Sequence, residues 1–195
     1  MDKGRFSLLI PDDKEFICNK SISDRVYAWI LINGRKENGD IYIEKTPVGA
    51  YKQIGINYRT FYNRIWNLVD AGYLEEGECE YKVVKDISKY KRFVYKDIVQ
   101  TLLDTKIDNI IKVYIELATL YDTAIKKKQQ PFFRYNNLCE RLGYYNKGRS
   151  SFNENKIKLI VSKLKELKLI EYEPKYIKVG DNYQINNILL NVRTK

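Results

Sequence analysis

Arg59, Thr60, Asn63, Arg64 and Asn67 are of the residue types that read base edges, and they fall within a single short stretch. Guanidinium forks pair with guanine, side-chain amides pair bidentately with adenine, and a hydroxyl serves either. Their spacing groups them. Phe61, Ile65 and Leu68 recur three to four positions apart with Tyr62, Trp66 and Val69 beside them, which predicts a wide buried face on an amphipathic helix and leaves the polar residues for solvent. Asp70 is the nearby carboxylate. Catalysis has less to draw on: the chain lacks histidine, which excludes imidazole-based triads and histidine general acids. Neither a tyrosine nucleophile nor a magnesium ion held by Asp12, Asp13 and Glu15 has a supporting motif such as a phosphate-cradling glycine loop. A binding protein is expected, not an enzyme, with no cofactor and no metal.

The elements that must position these residues follow from local signals. Asn57 can cap the helix at its start, and Gly72 can take the left-handed conformation that ends it. Thr46-Pro47 begins a shorter helix, closed by a tight turn at Ile54, Gly55 and Ile56. Tyr73, Leu74 and Glu75 start a strand whose mate, Tyr81 to Val84, lies across Gly77. Upstream, Ser21 or Ser23 caps a helix from Asp24 to Ile32 that buries Val26, Trp29 and Ile30, and Asp40 to Glu44 alternates as a strand. Glu75, Glu76, Glu78 and Glu80 crowd the hairpin. Laid against phosphates they would repel, so this hairpin either points away from DNA or meets a protein partner. A metal site built from them with Cys79 is disfavoured, because neighbouring strand residues face opposite ways. Tyr58, Tyr62 and Trp66 are read as core, with a homodimer surface as the alternative.

Composition agrees with a polyanion partner. The chain has 195 residues, enough for one domain or two small ones, and a net charge of +10. The basic excess is concentrated after Lys96, and between Lys126 and Lys168 only Glu140, Glu154 and Glu166 oppose it. Cys18, Cys79 and Cys139 are odd in number and far apart, which argues against a disulfide framework. No run approaches the roughly 20 apolar residues of a membrane helix, and no signal peptide is visible, so a cytoplasmic location is expected.

The remaining chain repeats the pattern of the first part. Residues 1–20 read as an N-terminal arm, 21–84 as a first folded unit, 85–107 as a connector and 108–195 as a second unit. Arg25-Val26-Tyr27 aligns with Lys112-Val113-Tyr114, Gly55 with Gly143, and Asn57, Phe61, Ile65 and Leu68 with Asn153, Ile157, Val161 and Leu164. One loop is longer in the second copy and carries Lys147 and Arg149 without an acid. A helix over Asn136 to Leu142 precedes one over Asn155 to Leu167, whose core face is Ile157, Ile160, Val161, Leu164 and Leu167. Asn155, Lys156 and Lys163 are left for its outer face. Lysines without arginines suit phosphates more than bases. Strands follow at Ile170 to Glu173, Tyr176 to Val179 and Tyr183 to Ile185, with Lys175 and Lys178 on the second hairpin.

Helix, turn, helix, hairpin is the winged helix-turn-helix layout, and Gln53 to Leu74 resembles the recognition half of bacterial winged-helix proteins. The tandem arrangement, with Leu103 to Ile115 and the later leucine-rich helix, resembles replication-initiator and DnaD-like proteins of plasmids and phages in low-GC bacteria. The resemblance implies a mainly α chain with small β-hairpins (α+β), built as two winged helices in tandem. It implies sequence-specific recognition of duplex DNA, for replication or transcription of a mobile element. DNA-contact roles carry over onto Asn57, Arg59, Thr60, Asn63 and Arg64, and more weakly onto the second unit's lysines. The alternative is a protein-directed inhibitor or assembly adaptor on the same scaffold.

Overall fold

The computed structural model describes residues 7–84, 91–144, 150–180 and 182–193. The fold is α+β, 47% helical and 28% strand, with small antiparallel sheets. No helix among the described residues is long and apolar enough to cross a membrane. The chain divides into two units, Met1–Ile111 and Lys112–Lys195.

In the first unit the elements are β1 (Ser7–Pro11), α1 (Lys14–Cys18), α2 (Asp24–Asn33), β2 (Arg35–Glu37), β3 (Asp40–Glu44), α3 (Ala50–Ile54), α4 (Tyr58–Asp70), β4 (Leu74–Glu76), β5 (Glu80–Val83), β6 (Lys91–Tyr95) and α5 (Lys96–Asp104). Residues 7–20 are not an arm. β1 pairs antiparallel with β6, bringing Leu8 opposite Val94, and Phe16, Ile17 and Ile22 are buried. Phe16, Tyr27 and Tyr73 meet edge to face at 5.4–5.8 Å, so α1, α2 and the chain entering β4 share one aromatic core. Of the expected connector, residues 91–107 are likewise folded, with Val94, Ile98, Val99, Leu102 and Leu103 buried.

The central sheet runs in the order β2-β3-β5-β4. β2 is absent from the sequence reading, yet its signal is there: Asn38 and Gly39 both take positive φ, the two-residue turn that joins hairpin strands with the right twist. Gly34 lets the chain pass from α2 into β2 at close quarters; a Cβ there would stand 2.5 Å from Ile41 Cγ2 and 2.8 Å from the Ile30 carbonyl oxygen. Asp24 and Arg25 reach the far end of the unit. The Asp24 carboxylate accepts from the Asn109 and Ile111 N–H groups at 3.3 and 3.0 Å, and Arg25 donates to the Lys106 carbonyl and to Asp108 at 2.9 and 2.7 Å.

α6 (Ile110–Lys126) opens on the last two residues of the first unit and continues into the second. β7 (Phe132–Phe133), α7 (Tyr135–Arg141), α8 (Ser150–Glu166), β8 (Ile170–Val179) and β9 (Asn182–Val192) follow, with sheet order β7-β9-β8. This is the pairing order β3-β5-β4 again, reached through the same succession of helix, strand, two helices and hairpin. Aligned residues keep their roles: Phe61, Ile65 and Leu68, like Ile157, Val161 and Leu164, are all buried, and Gly55 and Gly143 both adopt positive φ. α4 ends with the Gly72 and Tyr73 N–H groups bonded to the Val69 and Leu68 carbonyls; α8 ends identically through Lys168 and Leu169, with Lys168 at φ 56° where the first unit has glycine.

Three expectations change in the second unit. α8 begins at Ser150 rather than Asn155, so Asn153 lies inside the helix, and its side chain donates to the Tyr144 carbonyl at 2.6 Å. The three expected strands are two long ones: Pro174 does not break the chain there, because it sits on the edge strand β8, where proline is tolerated. Leu167 is half-buried rather than core. Beyond β7's partners, Lys175–Val179 and Asn182–Ile185 form a two-stranded ribbon that is exposed on both faces except at half-buried Ile177.

Candidate nucleic-acid interface

The outer stripe of α4 follows from its capping and its core. Asn57 Oδ1 accepts the Thr60 N–H at 2.7 Å, which fixes where the first turn starts, and burial of Phe61, Ile65 and Leu68 fixes which side turns inward. Arg59 and Asn63 then stand exposed one turn apart, and Trp66 and Asp70 continue the same line. Thr60 is half-buried at the stripe's margin. Asn57 therefore serves the helix with its side-chain oxygen, so the oxygen expected to read a base is already engaged.

Arg64 departs from its expected place. Its guanidinium donates to the Ser21 and Lys20 carbonyls at 3.0 and 3.3 Å, and Asn67 donates to Ser21 at 3.0 Å. These two side chains close carbonyls left open by the loop before α2, which explains why they lie against the protein. Of the residues expected to read bases, Arg59 and Asn63 are thus the pair that the fold leaves outward.

The aromatic residues also depart from expectation. Tyr58 is 57% and Trp66 47% exposed, so neither is core. Tyr51, Tyr58 and Tyr62 pack ring against ring, with centroids 5.8 and 4.4 Å apart. Burial, and then the hydrogen bond with Tyr58, raises the Tyr62 phenol above its ordinary value. A helical wheel carries the missing signal: Trp66 falls on the Arg59–Asn63 line rather than beside Phe61.

The acidic hairpin is partly neutralised. Glu76 pairs with Lys45 at 2.7 Å and Glu80 with Arg35 at 3.0 Å, while Glu75 and Glu78 are exposed. The bond to Glu76 raises the Lys45 ammonium above its usual range, and Arg35, which also pairs with Glu37, is shifted the same way. Among the described residues no group of three or more Cys, Asp or Glu could hold a metal ion.

In the second unit the lysines lie down rather than reach out. Lys156 Nζ is 5.8 Å from the Tyr144 ring centre, and Lys163 pairs with Glu166 at 2.6 Å. Lys158 bonds Glu154 at 2.8 Å beside the Tyr135 ring, and Lys165 lies 4.6 Å from the Tyr172 ring centre. Asn155 is exposed, and one turn on stands Leu159, 73% exposed and missed by the sequence reading. Lys175 and Lys178 are exposed on the ribbon, but three positions apart on a strand they face opposite ways, so one flat surface cannot take both. Tyr176 opposite Ile185, and Lys178 opposite Tyr183, give that ribbon an apolar and aromatic side. Lys147 and Arg149 lie outside the described residues.

Searches against protein-family models, curated proteins and solved structures found no match to this chain.

Proposed function

We propose that the chain is a sequence-specific duplex DNA-binding protein built from two winged helices in tandem, acting as a replication initiator or transcriptional regulator of a mobile element. The observation that carries the reading is the outward pair Arg59 and Asn63 on a helix of 13 residues that follows a tight turn. Such a helix, about 10–12 Å across with its side chains, matches a major groove about 12 Å wide. The twofold occurrence of one element order, each time with a hairpin after the longer helix, supports it, as does the net charge of +10. In this reading exposed Asn155 and one of the two ribbon lysines, Lys175 or Lys178, contact phosphates that set position rather than sequence, and Lys156 and Lys163 join them only by leaving Tyr144 and Glu166.

A second reading, a protein-directed inhibitor or adaptor, draws on exposed Glu75 and Glu78 at the tip of the first hairpin. The deciding experiment is a mobility-shift assay with fragmented genomic and plasmid DNA at about 0.15 M salt, where the Debye length is about 8 Å and weak surface attraction is screened. Retention of a discrete subset of fragments supports the first reading. Failure to retain any, with capture of one protein partner that Glu75→Lys and Glu78→Lys abolish, supports the second.

A further inference from the structure

The outward side of α4 presents two kinds of group, and duplex reading uses only one of them. Arg59 and Asn63 are hydrogen-bonding groups. Tyr58 and Trp66 are ring systems left exposed beside them, with half-buried Tyr62 between, and the Tyr58 ring is braced: Tyr62 lies against it on one side and Tyr51 on another. A braced ring loses little rotamer freedom when something stacks on it. Indole offers a single donor and no acceptor, so Trp66 reads a base edge poorly but covers a base face well.

We infer that this face binds unpaired nucleotides, with Trp66 and Tyr58 as stacking platforms and, meeting the phosphates, Arg59 and the exposed Lys52, whose ammonium lies 5.9 Å from the centre of the Tyr51 ring that packs on Tyr58. Stacking on aromatic side chains flanked by cations is how single strands are held without regard to sequence. Three features favour a nucleic-acid strand over a protein surface. The exposed residues of α4, Tyr58, Arg59, Asn63, Trp66 and Asp70, set rings beside a guanidinium, the combination on which bases stack while the backbone meets a cation. Exposed Arg59, and Lys52 beside Tyr51, supply positive charge locally, and two of the four glutamates on the adjoining hairpin are already neutralised by Lys45 and Arg35. The aligned positions of α8 are Glu154, Lys158 and Ser162, none of them aromatic, so the feature belongs to the first unit and is not a by-product of the fold.

The inference does not rest on duplex binding, and its test uses a strand that cannot pair with itself. Trp66 is its own reporter, since the other tryptophan, Trp29, is buried with its indole N–H donated to Gln53 at 2.8 Å. The full chain is titrated with an oligothymidylate of about 16 nucleotides, the upper end of common single-strand site sizes, while tryptophan emission and the anisotropy of a labelled oligomer are recorded. Expected are quenching at saturation and a loss of affinity of roughly 5- to 150-fold in each of Tyr58→Ala and Trp66→Ala, with Trp66→Phe keeping most of the affinity but not the quenching. Both positions are at the surface, and circular dichroism of each variant verifies its fold. Binding that leaves emission unchanged and ignores all three substitutions overturns the inference while duplex binding stands. Absence of oligomer binding together with a concentration-dependent dimer that Trp66→Ala dissolves overturns it too, and gives the face to a second copy of the chain.

Discussion

Separate alanine substitutions of Arg59 and Arg64 test whether the geometry of α4 decides which arginine recognises DNA. Both sit on the same helix and look equivalent in sequence. Arg59 is exposed, whereas the Arg64 guanidinium is engaged by the Ser21 and Lys20 carbonyls at 3.0 and 3.3 Å. Loss of a base-reading arginine costs about 1–3 kcal/mol on the cognate site and relaxes specificity there. Arg59→Ala is therefore expected to weaken cognate binding by roughly 5- to 150-fold while leaving random duplex much less affected. Arg64→Ala removes charged hydrogen bonds to main-chain carbonyls, ordinarily about 1.5–3 kcal/mol, but solvent access at this position reduces that toward about 1 kcal/mol of folding stability. A loss of that size lowers the melting temperature by roughly 2–4 °C in a chain this long. The assay is competition anisotropy with a duplex selected from a random pool, run at two salt concentrations, beside thermal melts of the free protein. Arg64→Ala relaxing specificity as far as Arg59→Ala, or Arg59→Ala weakening cognate and random duplex equally, refutes the reasoning.

Other consequences are open to simple measurement. Gly34→Ala places a methyl group 2.5 Å from Ile41 Cγ2 and 2.9 Å from the Tyr42 carbonyl oxygen, so urea unfolding should show a loss of about 1–3 kcal/mol, the usual range for overpacking. Lys168→Gly should stabilise by about 0.5–1 kcal/mol in the same assay, because the left-handed penalty of about 1–2 kcal/mol disappears while the unfolded chain gains glycine's freedom. Stability should decline on the alkaline side. Burial raises the Tyr27 and Tyr73 phenols and pushes the Cys139 thiol up to about 11, so the folded chain keeps protons that the unfolded chain releases. The stabilisation from these groups is complete below their ordinary values and is lost as pH rises through the folded ones, which pH-dependent melts would reveal as a falling midpoint above about pH 9. A midpoint flat to pH 11 contradicts the burial argument.

The parts of the fold legible in sequence were those where one local signal had no competitor. Asn57 before an apolar 3.6-residue period, Gly72 after it and Gly55 at the turn placed α4 almost to the residue. The repeat was visible because Ile157, Val161 and Leu164 retain the spacing of Phe61, Ile65 and Leu68. What escaped depends on partners distant in the chain. β1 reads as a loose arm until β6, over eighty positions away, covers it, and Lys168 ends α8 without glycine's signature. Arg64 and Arg59 are alike as letters. Only the position of Ser21, brought near by the packing of α2, separates a solvent-facing guanidinium from an engaged one. Trp66 was assigned inward because hydrophobicity outweighed its angular position, a choice the wheel alone would have reversed.

The Asp24 carboxylate has a practical bearing on any attempt to dissect the molecule. It is 2% exposed and accepts the N–H groups of Asn109 and Ile111, so the start of α2 is anchored on the residues that begin α6. A fragment truncated ahead of Ile111 would strand a buried carboxylate, at a cost of several kcal/mol or a forced protonation. The shortest first half expected to survive on its own thus carries the start of a helix, through Ile111, that sequence boundaries would award entirely to the second.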